Sequence, residues 1–166
     1  MTPAESDYLG RLATLSLSFV GFSAVVVTLR GALGGELSGR HLRLVRLYIE
    51  GGLLVTALAL VPSLLELLHV TETALWRSAS AVAASILTIL LVIQFRRRRA
   101  IEGRFPLWVV VLYVIATLAV AALWCNVAGI LFAPNAGPYA LVLTWSLFVF
   151  GFTFVRTIEL FLHREP

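Results

Sequence analysis

Residues 107–132 read LWVVVLYVIATLAVAALWCNVAGILF, and this stretch decides the fold. It contains 26 consecutive residues without a single Asp, Glu, Lys, Arg or His. An α-helix needs about 20 mainly apolar residues to cross the hydrocarbon core of a bilayer, so the stretch predicts a transmembrane helix. The rest of the chain has the same character, because 60% of its 166 residues are hydrophobic and only 13% are charged, against about 25% charged residues in soluble domains.

Four further apolar stretches flank this segment. The five predicted spans cover approximately residues 12–30, 44–68, 74–95, 107–132 and 138–162. The run Arg96–Arg99 ends the third span, and Pro134 and Pro138 mark a turn before the fifth. Glu5 and Asp7 precede the first span, whereas a signal peptide begins with basic residues, so we expect this span to be a helix of the protein. The sequence therefore predicts an all-α integral membrane protein, a bundle of five transmembrane helices forming a single domain over residues 1–166.

The positive charge predicts the orientation of these spans. All thirteen basic residues are arginine, and basic residues accumulate in cytoplasmic loops. With five spans, only Arg11 and Arg77 fall on one face of the membrane. Nine loop arginines fall on the other: Arg30, Arg40, Arg43, Arg46, Arg96, Arg97, Arg98, Arg99 and Arg104. We therefore expect an outside N-terminus and a cytoplasmic C-terminus, in a bacterial cytoplasmic (inner) membrane.

The run Arg96, Arg97, Arg98 and Arg99 is interpreted mainly as this topology signal, with lipid-headgroup contact accompanying it. The net charge of +4 then has a topological origin and does not indicate nucleic-acid binding. Aromatic residues near the span ends are typical of anchors at the membrane interface. They are Tyr48, Trp76, Trp108 and Tyr139.

The residue inventory excludes several kinds of chemistry. A chain without lysine forms no Schiff base and has no phosphate-binding lysine of the Walker type. Cys125 is the single cysteine, which excludes an internal disulfide and a thiolate zinc site. His41, His69 and His163 all lie away from the middle of the spans, which argues against bis-histidine haem. We expect no enzyme activity, no cofactor and no metal, and we expect Asn126 to form an interhelical hydrogen bond.

Small and polar residues follow one face of the second span, separated by four, three, four and three positions. They are Gly52, Thr56, Ala59, Ser63 and Glu66. Small residues let membrane helices approach closely, so helix packing is the first interpretation. The second is a water-accessible path whose outer mouth carries Glu66 and His69, repeated as a ring in a symmetric oligomer.

A similar stripe on the first span consists of Thr14, Ser18, Gly21 and Thr28, with Val25 filling the missing step. We expect the second span to be the better candidate for a path, because its stripe ends in the carboxylate of Glu66.

Further charges lie near the cytoplasmic ends of the second and fifth spans. Arg46 precedes Glu50 by four positions, which allows an ion pair along one helix face. Arg156 and Glu159 are expected at similar depth. One interpretation is a charge network that joins helices or subunits, and the other is an inner gate or ion site.

These patterns favour a homo-oligomeric ion channel or passive transport protein that prefers cations. Five helices are few for an internal pore, so a path is expected between subunits around a symmetry axis, lined by Gly52, Thr56 and Ser63. The expected partners are the lipid bilayer, further copies of the chain and permeant ions. The alternative is a non-transporting accessory, sensor or assembly subunit of a membrane complex.

Overall fold

A computed structural model describes residues 1–32, 39–101, 107–130 and 133–162. The regular structure in these ranges is α-helical, and its helices are α1 (Pro3–Ala32), α2 (Gly39–Leu67), α3 (Glu72–Ile101), α4 (Leu107–Ala128) and α5 (Ala136–Leu162). Each is long and apolar enough to cross a membrane, over Pro3–Val26, Arg46–Leu67, Glu72–Arg97, Val109–Ala128 and Ala136–Val155 respectively. The prediction of an all-α chain with five membrane-length helices is therefore confirmed, and these helices indicate an integral membrane protein. The prediction of a single domain stays a prediction.

The start of α1 is fixed by a reciprocal cap. The backbone N–H of Thr2 donates to Glu5 Oε2 at 2.7 Å, and the backbone N–H of Glu5 donates to Thr2 Oγ1 at 3.3 Å. This arrangement is a capping box, and Pro3 occupies the first helical position, where its missing N–H costs nothing. The helix therefore begins well before the apolar stretch from which the first span was predicted.

The turn between α4 and α5 is fixed by Gly129 and Asn135. Gly129 has a φ of +65°, a left-handed conformation that suits glycine, and its N–H donates to the carbonyl of Cys125 at 2.9 Å. Asn135 caps the start of α5, since its Oδ1 accepts the N–H of Gly137 at 2.9 Å. The apolar run 107–132 thus contains a helix that ends at Ala128, earlier than the sequence suggested.

Contacts divide the chain into two units, one of which comprises Met1 and residues 62–142. Within it α3 and α4 pack against each other. Trp76 of α3 and Tyr139 of α5 are both buried, with ring centroids 5.9 Å apart. Ala79 and Ala83 are fully buried, so small side chains on α3 provide the close helix contact that membrane bundles use.

The second unit comprises residues 2–61 and 143–166 and contains α1 with most of α2 and α5. The ring of Phe154 on α5 packs edge-to-face on Phe19 of α1 and on Tyr48 of α2, with centroid distances of 5.3 Å and 5.6 Å. The Tyr48 hydroxyl donates to the carbonyl of Thr153 at 3.2 Å. Aromatic contacts therefore join the three helices of this unit.

Three of the aromatic residues predicted as interfacial anchors have a different role. Tyr48, Trp76 and Tyr139 are buried between helices, so they contribute to the protein interior instead of facing lipid headgroups. Position near a span end does not distinguish the two roles, because aromatic rings suit both environments. The side chain of Trp108 lies outside the described part of the structure.

Gly52 allows α1 and α2 to approach closely, because a Cβ at this position would collide with Cγ2 of Val20. Valine has one preferred rotamer in a helix, so the backbones would have to separate. We expect Gly52→Ala to lower the free energy of unfolding by about 1–3 kcal/mol, measured from thermal unfolding in mild detergent. Gly21→Ala is the matched control, since a Cβ there meets nothing within 4 Å. Equal stability of the two variants would contradict the close contact.

Candidate functional site

The N-terminal half of the α2 stripe, with Gly52 and Thr56, contacts α1. Ser16 of α1 is buried, and its hydroxyl donates to the carbonyl of Gly52 at 2.7 Å. The hydroxyl of Thr56 lies 3.0 Å from the Gly52 carbonyl and 3.5 Å from the Ala13 carbonyl. Gly52 and Thr56 therefore take part in the packing of α2 on α1, and their place in an ion path stays a prediction.

The C-terminal half of the stripe, with Ser63 and Glu66, lies in the unit that contains α3 and α4. Ser63 is half-buried, and the carboxylates of Glu66 and Glu72 are exposed. The amino nitrogen of Met1 lies 3.6 Å from Glu66 Oε1 and 3.9 Å from Glu72 Oε1. The structure thus brings a second carboxylate, which the sequence interpretation did not include, beside Glu66.

His69 lies in the turn that follows α2, and its place with Glu66 at the mouth of a path stays a prediction. The helix α2 ends at Leu67, and His69 has a φ of +56°. Its backbone N–H donates to the carbonyl of Glu66 at 2.9 Å, which folds the chain into the turn before α3. In the ranges that the structure describes, no cluster of three His, Cys, Asp or Glu side chains that would hold a metal ion occurs.

Arg46 and Glu50 form the predicted pair along α2. Arg46 Nε lies 2.6 Å from Glu50 Oε1, and both side chains are more than half exposed. An exposed pair of this kind contributes little to stability. Arg156 and Glu159 lie in α5, but their side chains fall outside the described part of the structure, as does that of Arg98 in α3. The inner network and the inner gate both stay predictions.

The stripe on α1 faces away from the helices of its unit. Thr14, Ser18, Gly21 and Thr28 are exposed. The three hydroxyls donate to backbone carbonyls four residues earlier at 2.8–2.9 Å. Ser16 and Ser23, on another face of α1, are buried. The hydroxyls of α1 therefore lie on two faces of the helix. Packing of the described residues accounts for the buried Ser16 and Ser23 and leaves the exposed face uncovered.

A polar cluster centred on the buried side chains of Asn126 and Ser80 joins α3, α4 and the turn before α5. The side-chain amide of Asn126 donates to Ser80 Oγ at 2.8 Å and to the carbonyl of Asn135 at 3.0 Å. Asn126 Oδ1 accepts the backbone N–H of Asn135 at 3.1 Å. The predicted interhelical hydrogen bond of Asn126 is confirmed, and Asn135 is a partner that sequence reasoning missed. The P–N–x–G pattern at residues 134–137 indicates a turn but not which helix the turn contacts.

Comparison with protein families, curated proteins and solved structures gives no match for this chain. The function is therefore argued from the residues themselves. The two features that packing leaves unexplained are the exposed polar face of α1 and the exposed carboxylates of Glu66 and Glu72.

Replacing Asn126 with leucine leaves the Ser80 hydroxyl and both backbone groups of Asn135 without this partner. We expect a loss of about 1–3 kcal/mol in the free energy of unfolding, because the buried Ser80 hydroxyl loses this hydrogen bond and a buried polar group without a partner is costly. Thr117→Val on the same helix is the control, since its exposed hydroxyl bonds only to the carbonyl of Tyr113. Unfolding in detergent measures both. An Asn126→Leu protein as stable as Thr117→Val would show that the cluster does not hold the turn.

Proposed function

We propose that this chain is a homo-oligomeric ion channel or passive transport protein of the bacterial inner membrane, with a preference for cations. The observation that carries the proposal is the exposed polar face of α1, which comprises Thr14, Ser18, Gly21 and Thr28. These residues lie in a helix of membrane length, where exposed polar atoms are more favourably placed against protein or water than against lipid tails.

A symmetric ring of copies places this face around one axis. All copies insert into the membrane in the same orientation, so the symmetry axis of a closed oligomer runs along the membrane normal. The same face of each α1 then either lines that axis or lies between neighbouring subunits. Gly52 and Thr56 are occupied by contacts with α1, so α1 is a better candidate for the path lining than α2.

The geometry of the hydroxyls supports cations. Each hydroxyl of the exposed face donates its hydrogen to a carbonyl of its own helix, at Gly10, Thr14 and Ala24. The oxygen lone pairs that remain are acceptors, which suit a cation and not an anion. Between Arg11 and Arg30 the helix carries no charged residue that would repel a cation.

The exposed carboxylates support the same preference. With an outside N-terminus, Glu66 and Glu72 stand at the outer membrane surface. The Met1 ammonium beside them offsets one of their two negative charges, and the remaining charge concentrates cations. Asp7, also on that side, is paired with Arg11 at 3.0 Å and contributes less. The nine arginines on the opposite face of the membrane support this orientation.

The second candidate is a non-transporting accessory or assembly subunit. It is favoured by the use of Ser16, Gly52 and Thr56 in packing, because a chain whose polar residues serve helix contacts needs no path. In that case the exposed face of α1 binds a helix of a different protein. Such a subunit is expected to purify with that protein from native membranes, whereas the channel purifies as copies of itself.

Reconstitution of the purified protein into liposomes tests the channel directly. We expect potassium flux above that of protein-free liposomes, and a flux at least several-fold lower for Thr14→Val/Ser18→Ala, because two oxygen ligands are removed from the proposed path. The control is Thr117→Val, which removes a hydroxyl from the exposed surface of α4. Glu66→Gln is expected to lower the ratio of potassium to chloride flux.

Each outcome decides a different part of the proposal. Absence of potassium, proton and chloride flux from a folded wild-type protein would contradict the channel. Equal flux in the α1 double variant and in Thr117→Val would place the path away from α1. A monomer in mild detergent and in cross-linked membranes would contradict the symmetric oligomer.

A further inference from the structure

The cytoplasmic end of α3 carries exposed arginines without acidic partners. Arg96, Arg97 and Arg99 are all exposed. Among the side chains that the structure describes, none of the three guanidinium groups is within salt-bridge distance of a carboxylate. Arg11 and Arg46, in contrast, pair with Asp7 and Glu50 on their own helices. The positive charge at the end of α3 is therefore available to a ligand outside the chain.

The arginines continue exposed apolar rows on the same helix. Arg96 and Arg99 follow Ile89 and Val92 at spacings of three, four and three, so all four share one face. Ile89 and Val92 are 59% and 43% exposed. The same helix face thus offers apolar surface over about one turn and then two guanidinium groups. A ligand that is apolar along most of its length and anionic at one end matches this order.

The depth of the arginines also fits a lipid headgroup. Arg77, near the start of α3, and Arg96 are 19 positions apart, which is about 28 Å along an α-helix. The hydrocarbon core of a bilayer is about 30 Å thick, so the two arginines lie near its opposite boundaries. Arg96, Arg97 and Arg99 consequently stand where phosphate groups lie.

An aromatic pair holds the neighbouring helix beside this cluster. Phe95 of α3 and Tyr113 of α4 pack edge-to-face, with ring centroids 5.7 Å apart. Val110, about one turn before Tyr113, and Val114, directly after it, are exposed. The end of α3 is therefore not an isolated helix terminus, because α4 adds apolar surface next to the arginines.

We propose that Arg96, Arg97 and Arg99, with the exposed apolar surface of α3 and α4 beside them, form a binding site for an anionic phospholipid. The guanidinium groups bind the phosphate through charge-assisted and bidentate hydrogen bonds. The acyl chains lie along the exposed rows of α3. The site is independent of ion conduction, and the arginine run is then a ligand site as well as a topology signal.

Lipid binding to the purified full-length chain in mild detergent tests the site. Phosphatidylglycerol is expected to bind and to raise the thermal unfolding midpoint, and phosphatidylcholine with the same acyl chains is expected to bind at least about tenfold more weakly. Arg96→Gln/Arg99→Gln is expected to lower the affinity for phosphatidylglycerol roughly 10- to 30-fold. Arg11→Gln/Arg77→Gln, which removes the same charge elsewhere, is the control. Arg96→Lys/Arg99→Lys keeps the charge but loses the bidentate hydrogen bonds, so its affinity is expected to lie between those of the wild type and the glutamine variant.

Three results would overturn the proposal. Equal affinity for the two lipids would show that headgroup charge is not recognised. An equal loss of binding in the control double variant would show that only net charge matters. An equal rise in unfolding midpoint with inorganic phosphate alone would show that the ligand is a free anion. If the glutamine variant does not fold, the lysine variant decides the matter, since complete loss of lipid selectivity in a folded lysine variant contradicts a charge-based site.

Discussion

Polar groups inside a bilayer have no water to bond with, and this constraint governs the whole structure. Backbone groups meet it through five long helices, because a helix satisfies its own N–H and C=O groups. Polar side chains also find their hydrogen-bond partners within the protein. Thr14, Ser18 and Thr28 return their hydrogens to their own helix, and Asn126 is paired with Ser80 and Asn135. Within the described residues, the buried indole N–H of Trp145 is the exception that lacks a hydrogen-bond partner.

The same constraint separates the polar residues that hold the fold from those that are left for function. The hydroxyl of Ser16 donates to the carbonyl of Gly52 where α1 and α2 touch, so helix packing within one chain accounts for it. The hydroxyls on the other face of α1 are satisfied as donors but remain exposed as acceptors. An ion path or a subunit contact uses acceptors of this kind, and the carboxylates of Glu66 and Glu72 add the electrostatic preference. The proposed function therefore depends on which face of α1 is covered.

The sequence alone predicted five membrane-length helices, because charge-free stretches such as 107–132 leave few alternatives to a transmembrane helix. The pair of Arg46 with Glu50 was also predictable, since it is local to one helix. Contacts between helices were not predictable from spacing. Thr56 and Thr14 both belong to regular stripes, yet Thr56 contacts α1 and Thr14 is exposed. The left-handed backbone of His69, after the end of α2 at Leu67, was also not predictable, because such a turn leaves no periodic signal in the sequence.

Site-directed labelling in the membrane tests the central claim of five spans with an outside N-terminus most directly. Cys125 is the single cysteine, so Cys125→Ala gives a background without thiols. In spheroplasts, a membrane-impermeant maleimide is predicted to label Ser6→Cys near the start of α1 and Thr71→Cys before α3. Ser38→Cys, between α1 and α2, is predicted to react only after the membrane is permeabilised. Labelling of Ser38→Cys in intact spheroplasts, with Ser6→Cys and Thr71→Cys protected, would contradict the orientation and the outer position of Glu66.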